Sequence, residues 1–427
     1  MNIKDLHQLF LKYNSVCTDT RTIKENDLFF ALKGDNFNGN RFAQNALAKG
    51  AKFAVVDEAK YAISSDYILV DNVLNTLQQL AKYHRVYLNL KIIALTGSNG
   101  KTTTKELINA VLQKKYKTIA TSGNLNNHIG VPLTLLSMDK TTEIGIVEMG
   151  ANHLDEINFL CNITNPDYGY ITNFGKAHLE GFGNIEGVIK GKSELYNHLK
   201  QNNKLIFINA EDKLQLKQLN DYKNYYSFGL SSKENTSITL LGANPFVQVQ
   251  YKDQIINSKL IGSYNFSNIS AGIAIGEYFK VTPSDIKSAI ETYHPKNNRS
   301  QIIIKDSNKI ILDAYNANPT SMKAALDSFA ILKDEYKIAI LGDMFELGDE
   351  AEKEHQAIAE YTEQLGLKNI YLVGESFYKT TNNSNNVKLF KTFEDLKTTL
   401  LIIKIENHTI LIKGSRGMAL ERVLELL

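Results

Sequence analysis

At 427 residues, with 43% hydrophobic and 22% charged side chains, the chain is too long for one ordinary core and too apolar to stay unfolded, and its length points to three domains. Its 48 basic and 46 acidic residues leave a formal charge of +2, which excludes a global field for nucleic acid or an anionic membrane, so an anionic ligand must be held locally. Cys17 and Cys161 lie far apart and form no C-x-x-C, which argues against a structural zinc site and fits a reducing compartment, with the cytosol expected. No run of eighteen apolar residues occurs, and the N-terminal "MNIKDLHQLFLKYNS" interleaves charges and lacks an h-region, so neither membrane insertion nor a secretion signal is expected.

The first eighty or so residues alternate apolar runs ("LFFAL" at 28–32, "KFAVV" at 52–56, "YILV" at 67–70) with a helical stretch, "NRFAQNALAKG", that ends in glycine. A small α/β domain over 1–80 is expected. The helical segment 73–88 leads onward without a proline or glycine linker. A second block, 81–298, carries buried-strand candidates at 92–96, 144–150, 168–173 and 205–209, alternating with helices such as "KELINAVLQKK", where Leu107, Ile108, Val111 and Leu112 share a face. That is the signature of a parallel sheet. Over 236–262, Val247, Val249 and Tyr251 alternate before a "KDQ" turn, which reads as an antiparallel ribbon decorating the sheet. From about 299 the alternation resumes with "KIILD", "KIAILGD", "NIYLVGE" and "TILIKGS", a third, Rossmann-like unit over 299–427.

The stretch "TGSNGKTTTKE" (96–106) follows the strand candidate "IIALT" and opens a helical pattern. Gly97 and Gly100 allow a tight turn whose N–H groups converge on an anion, Lys101 would reach terminal phosphates, and Thr102 would offer a hydroxyl to Mg²⁺. The spacing is shorter than the usual phosphate loop because Leu95 stands where its first glycine would be; an incidental glycine turn is the bland alternative. Glu148 closes "IGIVE", at the strand end where α/β sheets bind ligands, and suits a hard cation, although a strand-terminal Glu as readily caps a helix. His178 lies on a glycine-bounded loop, Lys192 earns no role from its spacing, and Asn265 and Asn268 read equally well as helix N-caps.

Together these stretches resemble the Mur ligase family of cytoplasmic, ATP-dependent amide ligases of peptidoglycan precursor synthesis. The cues are "TDTRTIKENDLFFALKGDNFNGNRFAQNALAKGA" (18–51), "TGSNGKTTTKE", "NLNNHIGVPLTLL" (124–136), "VEMGANHLDEI" (147–157), "ITNFGKAHLEGFG" (171–183), "GKSELY" (191–196), "YNANPTS" (315–321), "LGDMFELGDE" (341–350) and "KGSRGMALE" (413–421). "YNANP" with "GDMFELG" is similar to the branch that adds D-alanyl-D-alanine. The resemblance implies an N-terminal UDP-binding domain, a central phosphate-loop ATPase domain and a C-terminal Rossmann-like domain. It implies ATP contacts at Gly97, Ser98, Asn99, Gly100, Lys101, Thr102, Thr103, Asn265, Asn268, Arg299 and Asp313. It further implies two Mg²⁺ ions, the first held by Thr102 and Glu148, the second by His178 and a CO₂-derived carbamate on Lys192. Substrate contacts follow at Asp19, Thr20, Arg21, Lys33, Gly34 and Asn316. Three positions depart from the family pattern: Tyr264 where histidine is frequent, Asn298 where glycine is usual, and Leu312 in place of the first of two acids.

The implied reaction phosphorylates a peptide carboxylate of UDP-N-acetylmuramoyl-tripeptide with ATP. The amine of D-alanyl-D-alanine then attacks the acyl phosphate. Acyl phosphates hydrolyse, so a cleft that closes by domain motion is expected, in a protein acting as a monomer. The rivals are another amide ligase of the superfamily, such as a folate-polyglutamating enzyme, and a non-catalytic scaffold for ATP and UDP-sugars; loss of Lys101, Glu148, His178 or Lys192 would mark the scaffold, and all four are present.

Overall fold

The protein is described by a computed structural model that covers every residue except Asn14, Asn297, Asn383 and Lys404. Its backbone forms three main sheets in chain order. The first has four parallel strands, Val16–Cys17, Leu28–Phe30, Phe53–Val56 and Tyr67–Leu69, in that spatial order. Phe30 and Val55 face the helices Ile3–Tyr13 and Val73–Leu88, whose Phe10, Leu77 and Leu80 are fully buried with them.

The second sheet has nine strands, in the order 254–261, 246–251, 236–243, 225–229, 205–209, 168–171, 91–96, 144–148, 118–120. Strand Lys91–Thr96 lies between Tyr168–Ile171 and Ile144–Glu148 and is parallel to both. The chain runs to either side of this strand, so the crevice at its carboxyl end is where an open α/β sheet takes a ligand. The loop Gly97–Gly100 sits there. The expected ribbon is present, but it extends the sheet rather than decorating it: Thr236–Ala243 joins Tyr225–Gly229 in parallel, pairing Phe228 with Thr236, before Phe246–Tyr251 and Gln254–Ile261 turn antiparallel. Val247, Val249 and Tyr251 give it a buried face to cover the helix Asn265–Tyr278, which is apolar nearly all round.

The third sheet has six strands in the order 301–305, 308–313, 409–413, 337–342, 370–373, 387–390; only the first pair is antiparallel. Thr409–Lys413 and Lys337–Gly342 are buried along almost their whole length, as expected of strands covered on both faces.

Residue 80, expected as a domain boundary, falls inside the helix Val73–Leu88, which starts on an Asn72 cap and ends on left-handed Asn89. That helix belongs to both neighbours. His84 bonds Met138 O through Nε2 at 2.9 Å, and Arg85 bonds Thr164 O at 2.9 Å and Asp167 at 2.9 Å, so its last turns are tied to the second sheet's helices. Among the described residues, no helix is long and apolar enough to cross a membrane.

Candidate active site

A cleft of about 620 Å³ opens between the carboxyl ends of the second and third sheets. This is within the usual size of small-molecule sites. Its floor is the loop after Lys91–Thr96. Gly97 and Gly100 have φ of 143° and 77°, and a Cβ on Gly100 would stand 2.5 Å from Asn268 Oδ1, so both glycines are required by conformation or space. Ser98 Oγ donates to Gly175 O at 2.8 Å and Thr172 Oγ1 to Asn99 O at 2.6 Å, which pins the loop to the next strand's end. The helix Lys101–Leu112 starts at Gly100 with no side-chain cap, leaving its first N–H groups directed at the cleft as an anion site. Lys101 Nζ folds back on Gly97 O at 2.7 Å, and burial pulls its ammonium below the usual lysine range, against the opposing pull of Glu148.

Glu148 ends its strand on the cleft wall, 1% exposed. Oε1 accepts from Asn126 Nδ2 at 2.8 Å. Oε2 has no hydrogen-bond partner and lies 3.7 Å from the buried Lys105 ammonium. A buried carboxylate oxygen left open in this way favours a ligand that carries positive charge. Thr102, nearly buried in the first helical turn, lines the same cleft, as do Ser98, Asn99 and Thr103. His178 borders it at the start of the short helix Leu179–Phe182, with Nδ1 2.5 Å from Glu346 Oε2 in a contact that lacks hydrogen-bond alignment. Burial pulls His178 below the usual histidine range, and the His178 contact holds Glu346 below the usual carboxylate range.

Lys192 does not line the cleft. It is fully buried one layer behind it, its Nζ donating to Ala151 O at 2.7 Å and lying 4.9 Å from the Phe182 ring centroid. Burial, reinforced by the charge of Lys101, drops its ammonium well below the normal lysine range. Among the described residues no group of three His, Cys, Asp or Glu side chains is placed to hold a metal ion.

The other wall comes from the third sheet. Arg299 stacks on Tyr315 at 3.7 Å from the ring centroid, with its Nε unbonded. Asp313 accepts from Ser300 N at 3.0 Å and from the buried Lys413 Nζ at 2.5 Å, and Asn316 lies beside them on the wall. Asn265 and Asn268 line the cleft too, but neither caps its helix. Asn265 Nδ2 donates to Ile261 O at 2.8 Å, and Asn268 bridges Asn265 to Thr104 at 2.7 and 3.0 Å. Asn268 thereby buttresses Gly100, while Asn265 keeps one amide proton for a ligand. The walls are stitched across the cleft by Asn318 to Asn99 at 2.7 Å, Lys176 to Glu354 at 2.5 Å and Tyr264 to Ser300 at 2.9 Å.

The remaining expected residues lie apart from this cleft, in the first domain. Arg21 pairs with Asp19 at 2.6 Å, Thr20 O accepts from Lys49 Nζ at 2.9 Å, Lys33 pairs with Asp57 at 3.0 Å, and Gly34 faces open space. Sequence reasoning passed over Glu346, Lys413, Asn126 and Lys105. Lys413 had a signal, a lysine closing a wholly apolar strand, and Lys105 had another, one helical turn beyond Lys101. Glu346 and Asn126 had none beyond their place within quoted stretches.

Three family descriptions match the chain: "Mur ligase family, catalytic domain" over residues 12–87, "Mur ligase middle domain" over 95–276, and "Mur ligase, glutamate ligase domain" over 298–416. The chain belongs to the Mur ligase family. Its three-sheet α/β architecture is that of the family. Among curated Mur ligases, the UDP-N-acetylmuramoyl-tripeptide--D-alanyl-D-alanine ligase of Bacillus subtilis is 34% identical over 422 residues, covering 96% of this chain and 92% of the relative. A crystal structure of MurF from Acinetobacter baumannii is similar at a TM-score of 0.86 and 30% identity, covering 98% of this chain and 97% of that one. The Thermotoga maritima MurF structure, in complex with ADP, gives a TM-score of 0.83 at 27% identity, with 97% of each chain covered.

Proposed function

We propose that this Mur ligase joins D-alanyl-D-alanine to UDP-N-acetylmuramoyl-tripeptide at the expense of ATP, through an acyl phosphate. The observation that carries the reading is full-length similarity to the Bacillus subtilis ligase of that name. The order of "YNANP" and "LGDMFELG" in the third domain supports it. The uridine nucleotide is assigned to the domain over 1–80, ATP to 81–298, and the closing wall to 299–427.

In this reading the loop N–H groups and Lys101 cradle the β- and γ-phosphates, and Arg299 meets them from the other wall. Asn265 offers its free amide proton to the adenine edge. Lys101 leaves Gly97 O when a phosphate enters, and the phosphate charge favours its ammonium form. A carboxylate oxygen of the tripeptide attacks the γ-phosphorus and ADP departs. The amine of D-alanyl-D-alanine then adds to the acyl carbon, loses a proton, and expels phosphate. The stitched walls exclude water while the acyl phosphate exists.

The open Glu148 Oε2 fits a hard cation, and Thr102 with Glu148 would hold one Mg²⁺ while His178 and Lys192 would hold a second. Bound there, Mg²⁺ supplies neutralisation of phosphate charge. The depressed basicity of Lys192 suits carbamate formation, in which the amine nitrogen bonds the carbon of CO₂ and releases a proton, turning a cation site into an anionic oxygen donor. The protein acts in the cytoplasm as a monomer. Phosphate release from ATP, measured with the tripeptide nucleotide and D-alanyl-D-alanine each omitted in turn, tests the reading: release must require both, and release sustained by another amine or by none overturns it.

A further inference from the structure

The strand Lys337–Gly342 runs out into a loop, 343–348, that carries Glu346 into the cleft. The tip of this loop bends sharply: Glu346 and Gly348 have φ of 63° and 54°, and a non-glycine residue holds such a conformation only where its surroundings over-determine it. At the tip, Glu346 O accepts from Glu180 N of the second domain at 3.1 Å. At the root, Asp343 N donates to Val373 O at 3.1 Å, Met344 N to His355 Nε2 at 2.9 Å, and Phe345 N to Ser415 Oγ at 2.8 Å. The Asp343 carboxylate is engaged elsewhere, accepting from Ser376 N and Phe377 N at 2.9 Å each. His355 stands in the second turn of the helix Ala351–Gln364, fully buried, edge-to-face with Phe377 at 4.7 Å between ring centroids. Its Nδ1 faces Ala351 O at 2.6 Å.

A carbonyl only accepts and a backbone N–H only donates, so these two partners dictate one form of the His355 ring, with its proton on Nδ1 and a lone pair on Nε2. Burial acts in the same sense, holding His355 below the usual histidine range against the opposing pull of Ala351 O, Asp343 and Glu354. An alkyl side chain here would deprive the buried Met344 N–H of this acceptor, and that group regains a partner in water only if the loop moves. We propose that His355 is a positioning residue for the ligation: its Nε2 lone pair anchors Met344 N and thereby sets how far the 343–348 loop reaches into the cleft. His355 does not line the cleft, so it acts through the loop. The kinetic consequence rests on the ligase reading, whereas the anchoring of Met344 does not.

The test uses the full-length protein. His355→Leu removes the acceptor, and His355→Gln keeps one, since the glutamine Oε1 stands as many bonds from the backbone as the histidine Nε2. Hydrogen exchange at the Met344 amide, read at single-residue resolution, should accelerate at least about ten-fold in His355→Leu and stay within about three-fold of the wild type in His355→Gln. In turnover, His355→Leu is expected to lose about 10- to 100-fold in kcat, the scale of a small misplacement remote from the chemistry, with KM for ATP within about two-fold because the phosphate loop lies in the second domain. His355→Gln should recover most of that loss. Leu400→Ala opens a cavity under the helix Phe393–Ile402 of the same domain, and should keep kcat within about three-fold at a temperature where the variant is folded. Unaccelerated exchange at Met344 in His355→Leu overturns the proposal, as does an unchanged kcat with Met344 released, or an equal loss of kcat in Leu400→Ala. A wild type whose Met344 amide is protected but which joins no D-alanyl-D-alanine would instead remove the ligase reading.

Discussion

On the cleft wall Lys413 is buried against the Asp313 carboxylate, one layer behind the wall Lys192 is buried against a backbone carbonyl, and on the floor Lys101 folds onto its own loop. In the first domain, Arg21 stands in water, paired with the half-exposed Asp19, and Lys33 reaches the buried Asp57 carboxylate from a half-exposed position. The same residue types stand in both places, yet the surroundings differ. Buried cations in a poorly polarisable wall act strongly on a transferring phosphoryl group and reorganise little, which is what chemistry requires. The exposed Arg21–Asp19 pair is worth little to the fold, so in the proposed reading a ligand phosphate would replace the carboxylate at small cost, as reversible recognition requires. In the proposed reading one region reacts while the other binds and releases.

The comparison breaks first at the phosphate loop. Lys101→Ala and Lys192→Ala are each expected to reduce kcat by about 10² or more, the scale for removing a preorganised charge; unchanged turnover in Lys192→Ala, with CO₂ present or stripped, rejects the carbamate. Next comes the buried pair of the opposite wall. Asp313→Ala leaves Lys413 with Asn316 O as its remaining acceptor at 3.3 Å, and unfolding in urea should show a loss of about 3 kcal/mol, typical of a buried charge deprived of its partner. Arg21→Ala lies at the other extreme: the melting temperature should not move, while KM for the uridine-linked substrate rises several-fold and kcat holds. A falling melting temperature there would erase the contrast between the two regions.

A smaller effect arises where the two domains join. His84 Nε2 faces the carbonyl of Met138 and must carry a proton, so its Nδ1 accepts from His7 Nε2 at 3.0 Å and His7 Nδ1 is left bare. Burial and the neighbouring ring lower His7 to about 4. The unfolded chain takes up this proton near pH 6.5 and the folded one only near 4, so stability is full above that window and is lost as pH falls through it. The loss is on the order of 1–3 kcal/mol. Thermal melts between pH 7.5 and 4.5 should show this decline, and His7→Leu should flatten it; an equally steep profile in the variant assigns the decline to other groups.

Much of the cleft's floor was legible beforehand because it is local. A branched strand, two glycines, a lysine and a helix within 91–112 fix their own geometry, and the strand-terminal place of Glu148 follows from apolar residues ahead of it. The ribbon was legible as alternation, but its pairing with Tyr225–Gly229 was not, since an edge partner leaves no periodicity in the strand it joins. No local signal marks a boundary near 80 for a related reason: a continuous amphipathic helix runs through it and carries no composition change. Lys192, without a role from spacing, acquires its unusual chemistry from burial by Phe182 and Ala151, which no local pattern encodes.

The sequence by itself determined the three α/β units, the anion cradle and the family, because periodicity, glycine placement and motif order are properties of short segments. The tertiary structure alone decided which charges meet. Glu346 reaches His178, Lys413 reaches Asp313, and Lys105 stands by an open oxygen of Glu148, each across chain separations that backbone patterning does not constrain. Coulomb forces act through space, and only the packed fold sets the distances and the dielectric over which they act.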